Sequence, residues 1–294
     1  GSRPDEAAAT VRLADVSLNS ELETVVALDA AAARLGGVHR VIVMVDLGDL
    51  REGVLPEEVV PFLKGVLSLR HVSLEGLGTN LSCYGGIVPS PQNLGQLVEL
   101  EQIAEEMAGR RLTVSGGNSG TLGLALSGGM PAGIDNLRLG ESILLGTNTL
   151  TREQLTPELE VDAFTISAPV IECRMKPSVP FGDIAQDAFG GRPTFVDRGL
   201  RMRALCALGR QDAPPQGLTP HDPLVEVLGA SSDHLVLDVD DMDVPPEPGD
   251  TIEFRPNYAA LLQAYTSPYV QKVHLRAGSV VAGNRARARR EGAP

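Results

Sequence analysis

The stretch Val38-His-Arg-Val-Ile-Val-Met-Val-Asp-Leu47 constrains the fold more than any other part of the chain. A strand with one wet face alternates apolar and polar side chains. This one is almost continuously apolar, which requires burial on both faces. Strands of that kind belong to parallel sheets covered by helices. The flanking sequence supplies such helices. Ala14 to Asn19 reads as a strand. Ser20-Glu-Leu-Glu23 then reads as a capping box opening an Ala/Leu-rich helix that runs to about Leu35. A second helix, with Pro in its first turn, spans about Pro56 to Leu69.

The alternation continues. Val72 to Leu81, Leu112 to Ser115 and Leu137 to Leu139 read as further strands, and Leu94 to Met107 as the longest helix between them. About five βα units in succession call for a parallel sheet with helical crossovers. Polar residues cluster just after the strand ends: Asp46, Gly48 and Arg51; Thr79, Asn80 and Tyr84; Gly116 to Ser119; Arg138 to Glu141. Barrels and open α/β sheets alike build their sites there.

From about Val161 helical periodicity fades. Short β-rich runs separated by Pro and Gly follow: Val170 to Met175, Arg203 to Leu208, Val225 to Leu228, Leu235 to Val239 and Thr251 to Phe254. The expected division is an α/β part over 1–155, a mostly β domain over 156–275 and a disordered basic tail over 276–294.

Composition narrows the function. The 294 residues carry a net charge of -13, so phosphate backbones are repelled and nucleic acid is not an expected partner. No apolar run approaches the roughly 18 residues needed to span a bilayer, so no membrane partner is expected. The polar, acidic start shows no signal peptide. Cys83, Cys173 and Cys206 lack metal-ligand spacing and read as reduced thiols of a cytoplasmic protein. No metal is expected.

Several short motifs in fixed order carry a more specific signal. They are Val45-Asp-Leu-Gly-Asp-Leu-Arg-Glu-Gly-Val54, Gly78-Thr-Asn-Leu-Ser-Cys-Tyr-Gly85, Val114-Ser-Gly-Gly-Asn-Ser119 and Asn136-Leu-Arg-Leu-Gly-Glu141. Ala207-Leu-Gly-Arg-Gln-Asp212, Gly229-Ala-Ser-Ser-Asp-His234 and Tyr258 to Tyr269 continue the series. Together they resemble the pyridoxal-phosphate-dependent alanine/ornithine racemase family, its ornithine racemase branch above all.

The resemblance implies a partial (β/α)8 TIM barrel, about five of eight units, followed by a β domain, with pyridoxal 5'-phosphate as cofactor. It implies a homodimer acting on a small amino-acid substrate, ornithine, alanine or a related basic amino acid. The family's cofactor-binding lysine belongs to earlier strands. Lys64, Lys176 and Lys272 do not follow an early barrel strand, so the chain alone is expected to be inactive. The alternatives are an ordinary open five-stranded α/β sheet, a non-catalytic pyridoxal-phosphate-binding protein, and a lyase or decarboxylase on the same scaffold.

Residue roles follow from the same resemblance. Ser119 and Asn118, with backbone N–H groups of Gly140 and Glu141, match the phosphate site; such an anion needs hydroxyls and N–H donors. Arg138 matches the arginine set against the pyridine nitrogen. Arg51 matches a residue near the substrate carboxylate, although a surface cluster with Asp49 or Glu52 would use it equally well. Asn80 stands where alanine racemases carry a histidine near the ring. Tyr84 either lines the pocket or packs. Tyr258 matches a tyrosine that reaches the phosphate. In place of a catalytic tyrosine the chain has Arg210, which leaves His234 or Asp233 as the second proton carrier. They read as adjacent strand residues, which point to opposite faces, so at most one of them faces the site. For a second substrate ammonium, Asp46, Asp49, Glu141 and Asp187 are all available.

Overall fold

A computed structural model of the chain describes residues 3–275. Two compact units meet in sequence at Glu160 and Val161. The basic stretch 276–294, expected to be disordered, lies outside the described residues.

The first unit contains α1 (Ala7–Leu13), β1 (Val16–Asn19), α2 (Leu22–Arg34), β2 (His39–Met44), α3 (Val59–Leu67), β3 (Val72–Gly78), α4 (Pro91–Ala108), β4 (Thr113–Asn118), α5 (Ser119–Leu126), β5 (Asn136–Arg138) and α6 (Glu141–Leu145). The strands form one parallel sheet in the order β1-β2-β3-β4-β5. Each connection is a helical crossover, as parallel neighbours require.

Strand β2 explains the sheet. Val41, Val43 and Val45 alternate onto the helix side, where Val25 and Leu28 of α2 and Leu63 and Val66 of α3 cover them. Ile42 and Met44 turn to the other face and are also buried. The α4 helix starts where the sequence demands it. Ser90 accepts from the N–H of Asn93, Asn93 accepts from the N–H of Ser90, and Pro91 follows the cap.

Two local expectations differ. The box at Ser20 does not form: Glu21 caps α2, and no side-chain cap bond is made. Helix α1 is not legible in the sequence, because only Ala7 of its seven residues is buried and no apolar stripe marks it.

The second unit is a six-stranded sheet in the order β8-β11-β6-β7-β10-β9. Its strands are β6 (Ile166–Pro177), β7 (Leu200–Cys206), β8 (Leu218–Pro220), β9 (Glu226–Ala230), β10 (Leu235–Asp238) and β11 (Thr251–Pro256). All their pairings are antiparallel. Ala168, Val170, Ala204, Cys206, Leu235, Leu237 and Phe254 build its core. Helix α7 (Tyr258–Thr266) closes the unit, capped by Asn257, which accepts from the N–H of Ala260 at 3.0 Å. Among the described residues no helix is long and apolar enough to cross a membrane.

Candidate active site

Four loops leave the carboxyl ends of β2, β3, β4 and β5, and most of the polar residues singled out in the sequence sit on them. The first, 46–54, folds back on its own strand. The N–H of Val54 donates to Met44 O at 2.8 Å and that of Asp46 to Val54 O at 3.0 Å. Gly53 makes this return possible. Its φ is 144°, and a Cβ there would lie 2.3 Å from the Asp46 nitrogen. Asp46 Oδ1 accepts from the N–H of Gly48 at 2.8 Å and of Leu50 at 3.1 Å. The turn holds Leu50 at φ 54°.

Asp49 ties this loop to the next. It is 1% exposed. Its carboxylate accepts from the N–H groups of Tyr84 at 2.9 Å, Ile87 at 3.2 Å and Cys83 at 3.3 Å. Burial alone would raise its pKa, but the backbone donors outweigh burial and hold it below the ordinary carboxylate value.

Arg138 ends β5 and reaches back across the sheet. Nη2 donates to Asn80 Oδ1 at 2.6 Å and to Thr79 O at 2.5 Å, and Nη1 donates to the Ser115 hydroxyl. Its Nε–H has no acceptor among the described residues. Desolvation lowers the pKa of Arg138 and Glu52 opposes that shift, but a guanidinium keeps its charge regardless. Asn80 also donates through Nδ2 to Glu52, which Arg51 grips through Nε and Nη2. The result is a continuous chain Arg51–Glu52–Asn80–Arg138.

Beside it, Ser119 is 6% exposed. Its hydroxyl receives three donors, each at 3.1 Å: the N–H of Gly140, the N–H of Ser142 and the Ser142 hydroxyl. Gly117, at φ 121°, lets the chain turn into α5; a Cβ there would meet Thr121 Oγ1 at 2.4 Å.

The structure therefore brings Arg51, Asn80, Arg138, Ser119 and Gly140 onto adjoining loops of one sheet end. The other named residues make contacts of their own. The Asn118 amide is used internally: Oδ1 caps α5 through the N–H of Gly120 at 2.9 Å, and Nδ2 donates to Leu81 O at 2.8 Å. Glu141 pairs with Arg152. The Tyr84 ring is 80% exposed, so it does not pack in a core. The carboxylates named for a second ammonium are all engaged, Asp187 through the N–H groups of Phe189 and Gly191. Asp233 and His234 lie in the turn between β9 and β10 rather than on a strand, so the strand alternation argument does not apply. They bond each other, Nδ1 to Oδ1, at 3.0 Å. Arg210 donates to Ala230 O at 3.1 Å and lies over the Phe189 ring. Tyr258 is the first residue of α7 and is partly exposed. Sequence reasoning misses Glu52, Ser115 and Ser142 as members of the cluster. Ser142 lies one residue beyond the motif ending at Glu141, and its hydroxyl is the available signal.

The family model "Alanine racemase, N-terminal domain" matches residues 1–148. The chain belongs to the alanine racemase family. The ornithine racemase of Acetoanaerobium sticklandii is 44% identical over 264 residues, 89% of this chain and 74% of that protein. The lysine racemase of Thermotoga maritima is 46% identical over 237 residues, 80% of this chain and 65% of that protein. This family member thus spans about three quarters of one relative and just under two thirds of the other. Among solved structures, alanine racemase from Bartonella henselae with covalently bound pyridoxal phosphate aligns with a TM-score of 0.61 at 19% identity, covering 91% of this chain and 71% of that one. D-threonine aldolase from Filomicrobium marinum aligns at 0.64 and 18%, covering 90% and 68%. At such identities the likeness is one of fold: a parallel barrel sheet with helices, followed by an antiparallel β domain.

Proposed function

We propose that the protein is a pyridoxal-phosphate-dependent amino-acid racemase whose cofactor site lies at the carboxyl ends of β3, β4 and β5. The substrate class is ornithine, lysine, alanine or a related amino acid. The observation that carries this reading is the adjacency of two donor groups. One is the partly buried guanidinium of Arg138. The other is the cluster of N–H and hydroxyl donors around Ser119.

Both groups fit the cofactor's chemistry. The N–H groups of Gly140 and Ser142 and the Ser142 hydroxyl converge on Ser119 Oγ; a phosphate would take over these donors, with the Ser119 hydroxyl as a further one, the set an anion requires. Arg138 has Nε–H to spare for the ring nitrogen. The hydroxyl of Thr79, buried beside Arg138, has no protein partner. Because a guanidinium only donates, Arg138 would hold the ring nitrogen unprotonated, which would moderate electron withdrawal and suit simple removal and return of the α-proton. When bound, pyridoxal phosphate supplies the conjugated ring that accepts the electron pair left at the α-carbon. Arg51 has spent Nε and Nη2 on Glu52 and keeps Nη1 for a substrate carboxylate.

Two proton carriers are needed, one for each face of the α-carbon. A lysine serves one face in this scheme. Lys64 is exposed on α3, while Lys176 pairs with Glu172 and Lys272 donates to Ser267 O. We assign the role to none of these, so the 294 residues alone should not turn over substrate. His234, with Asp233 as its partner, is the candidate for the other face. A cytosolic homodimer accompanies this reading, and the free thiols of Cys83, Cys173 and Cys206 are compatible with that compartment.

The test is α-proton exchange in D2O with added pyridoxal phosphate and L-ornithine, L-lysine or L-alanine. It is run on the 294-residue chain and on the protein isolated from its source. Exchange with loss of optical rotation by the latter, and none by the former, is expected. No exchange by the protein from its source with any amino acid would exclude racemisation.

A further inference from the structure

From this geometry we infer that Glu52 is a positioning residue: it fixes the Asn80 amide so that its carbonyl faces Arg138, and thereby sets the guanidinium in place. The inference rests on the cofactor reading only for its consequence. The geometry itself stands without it.

Donor and acceptor identity decides the orientation of Asn80. A carboxylate only accepts and a guanidinium only donates. Asn80 lies between one of each. Nδ2 donates to Glu52 Oε1, and Oδ1 accepts from Arg138 Nη2 at 2.6 Å. Turned end for end, the amide would set its carbonyl against the carboxylate and its NH2 against the guanidinium, losing both bonds. With Glu52 ionised, one orientation is allowed.

Glu52 is also the carboxylate on this loop that is free to act on side chains. Asp46 is spent on the N–H groups of Gly48 and Leu50, and Asp49 on those of Cys83, Tyr84 and Ile87. Arg51 grips both carboxylate oxygens, Nε on Oε2 and Nη2 on Oε1 at 2.5 Å, and Oε1 also takes Asn80 Nδ2. Both loops are held firmly, the first by the Gly53 return and the second by Asp49, so the carboxylate has little freedom to follow a displaced amide.

The other acceptors of Arg138 are neutral: Thr79 O and Ser115. Without Glu52, Asn80 keeps its bond to Arg138 but loses the one that ties its other end to the 46–54 loop, so the amide and the guanidinium it meets are free to shift together. Glu52 touches neither ring nor substrate in this scheme and acts through Asn80.

The test uses Glu52→Gln, Asn80→Asp and the double variant. Glutamine at 52 must place NH2 toward either Arg51 or Asn80, which breaks the polarity of the chain. Aspartate at 80 alone sets two carboxylates against each other. In the double variant the new glutamine donates to the new aspartate, and that aspartate accepts from Arg138. The acceptor facing Arg138 and the net charge are then both restored. Two readouts are taken: the ¹⁵N side-chain Nε–H resonance of Arg138 without cofactor, and the affinity for pyridoxal 5'-phosphate by absorbance titration.

Each single variant should shift and broaden the Arg138 resonance and weaken cofactor binding about tenfold, the scale of one charge-assisted hydrogen bond. The double variant should return both to within about twofold of wild type. A role confined to loop stability predicts instead that the two losses add. An unshifted resonance in Glu52→Gln, or a double variant no better than the worse single, overturns the inference. Failure of the wild-type chain to take up pyridoxal phosphate would count against the cofactor reading, while the cofactor-free resonance would still decide on Glu52.

Discussion

Replacing Asp49 with Asn separates the account of the loops from any assumption about catalysis. Asp49 holds the 79–90 loop through three N–H groups while almost wholly buried. Oδ2 takes Tyr84 at 2.9 Å, and Oδ1 takes Ile87 at 3.2 Å. An asparagine keeps one acceptor oxygen and turns an NH2 against the remaining donor. One hydrogen bond to a charged group is therefore lost and one buried N–H is left unpaired. Losses of this kind are about 1.5–3 kcal/mol each, but they overlap here, so about 2–3 kcal/mol is expected. That corresponds to roughly a hundredfold rise in local opening. Amide hydrogen exchange at Tyr84 and Ile87 at pH 7 reads it directly, with Ala204 in the second unit as an internal reference. The pH dependence has a defined sign. The folded-state pKa of Asp49 is depressed, so its contribution is complete above the unfolded value of about 3.9 and disappears as pH falls through the lower folded value. The gap between Asp49→Asn and wild type should close there. Protection of Tyr84 and Ile87 within twofold of wild type at pH 7 would refute the clamp.

Three further outcomes are expected. Ser119→Ala should weaken pyridoxal 5'-phosphate binding about tenfold while leaving the weaker affinity for unphosphorylated pyridoxal unchanged; equal losses for both ligands would remove Ser119 from the phosphate site. Glu101, buried beside Glu105, has its pKa pushed up to about 7, first by desolvation and then by its neighbour. Its raised value means that stability falls as pH rises from the ordinary unfolded value towards 7, and the loss is complete above 7. Glu101→Gln should then be more stable than wild type at pH 8 by on the order of 2 kcal/mol, with the difference gone below pH 4, and a pH-independent difference in urea unfolding would contradict this. Cys206 is fully buried with its thiol pushed up to about 12, so a thiol reagent should modify exposed Cys83 in the native protein and reach Cys206 only on unfolding. Equal labelling rates for the two would show that the core of the second unit is open.

What the sequence discloses follows from how local each signal is. Strand β2 is legible because burial on both faces leaves an apolar run that no other element explains. The βα succession is legible too, as are the positions of Arg138 at the end of β5 and Ser119 just past the end of β4. Strand β8 is hidden because Leu218–Pro220 is only three residues long and ends in proline. Strand β4 continues to Asn118 through Gly116 and Gly117, which read as a turn; its pairing with β5 shifts register between Ser115 and Asn118, so the ladder survives the glycines. The Arg51–Glu52 pair is visible, but its extension to Asn80 spans 28 positions and depends on two loops folding toward each other. The roles of Asn118 and Asp49 are hidden for a related reason. Their side chains serve backbone groups, and residue type alone does not distinguish a loop clamp from a ligand. Asp233 and His234 read as strand residues because the short run Leu235–Asp238 gives no sign of where the hairpin turn stops.

The central claim is that one end of the parallel sheet holds a phosphorylated pyridine, with the phosphate at Ser119, Gly140 and Ser142 and the ring nitrogen at Arg138. A crystal structure of the protein with pyridoxal 5'-phosphate tests it most directly. The expected density places phosphate oxygens within hydrogen-bonding distance of the Gly140 and Ser142 N–H groups and the ring nitrogen facing Arg138 Nε. A phosphate bound elsewhere, or a ring whose nitrogen meets a carboxylate instead of Arg138, would contradict it.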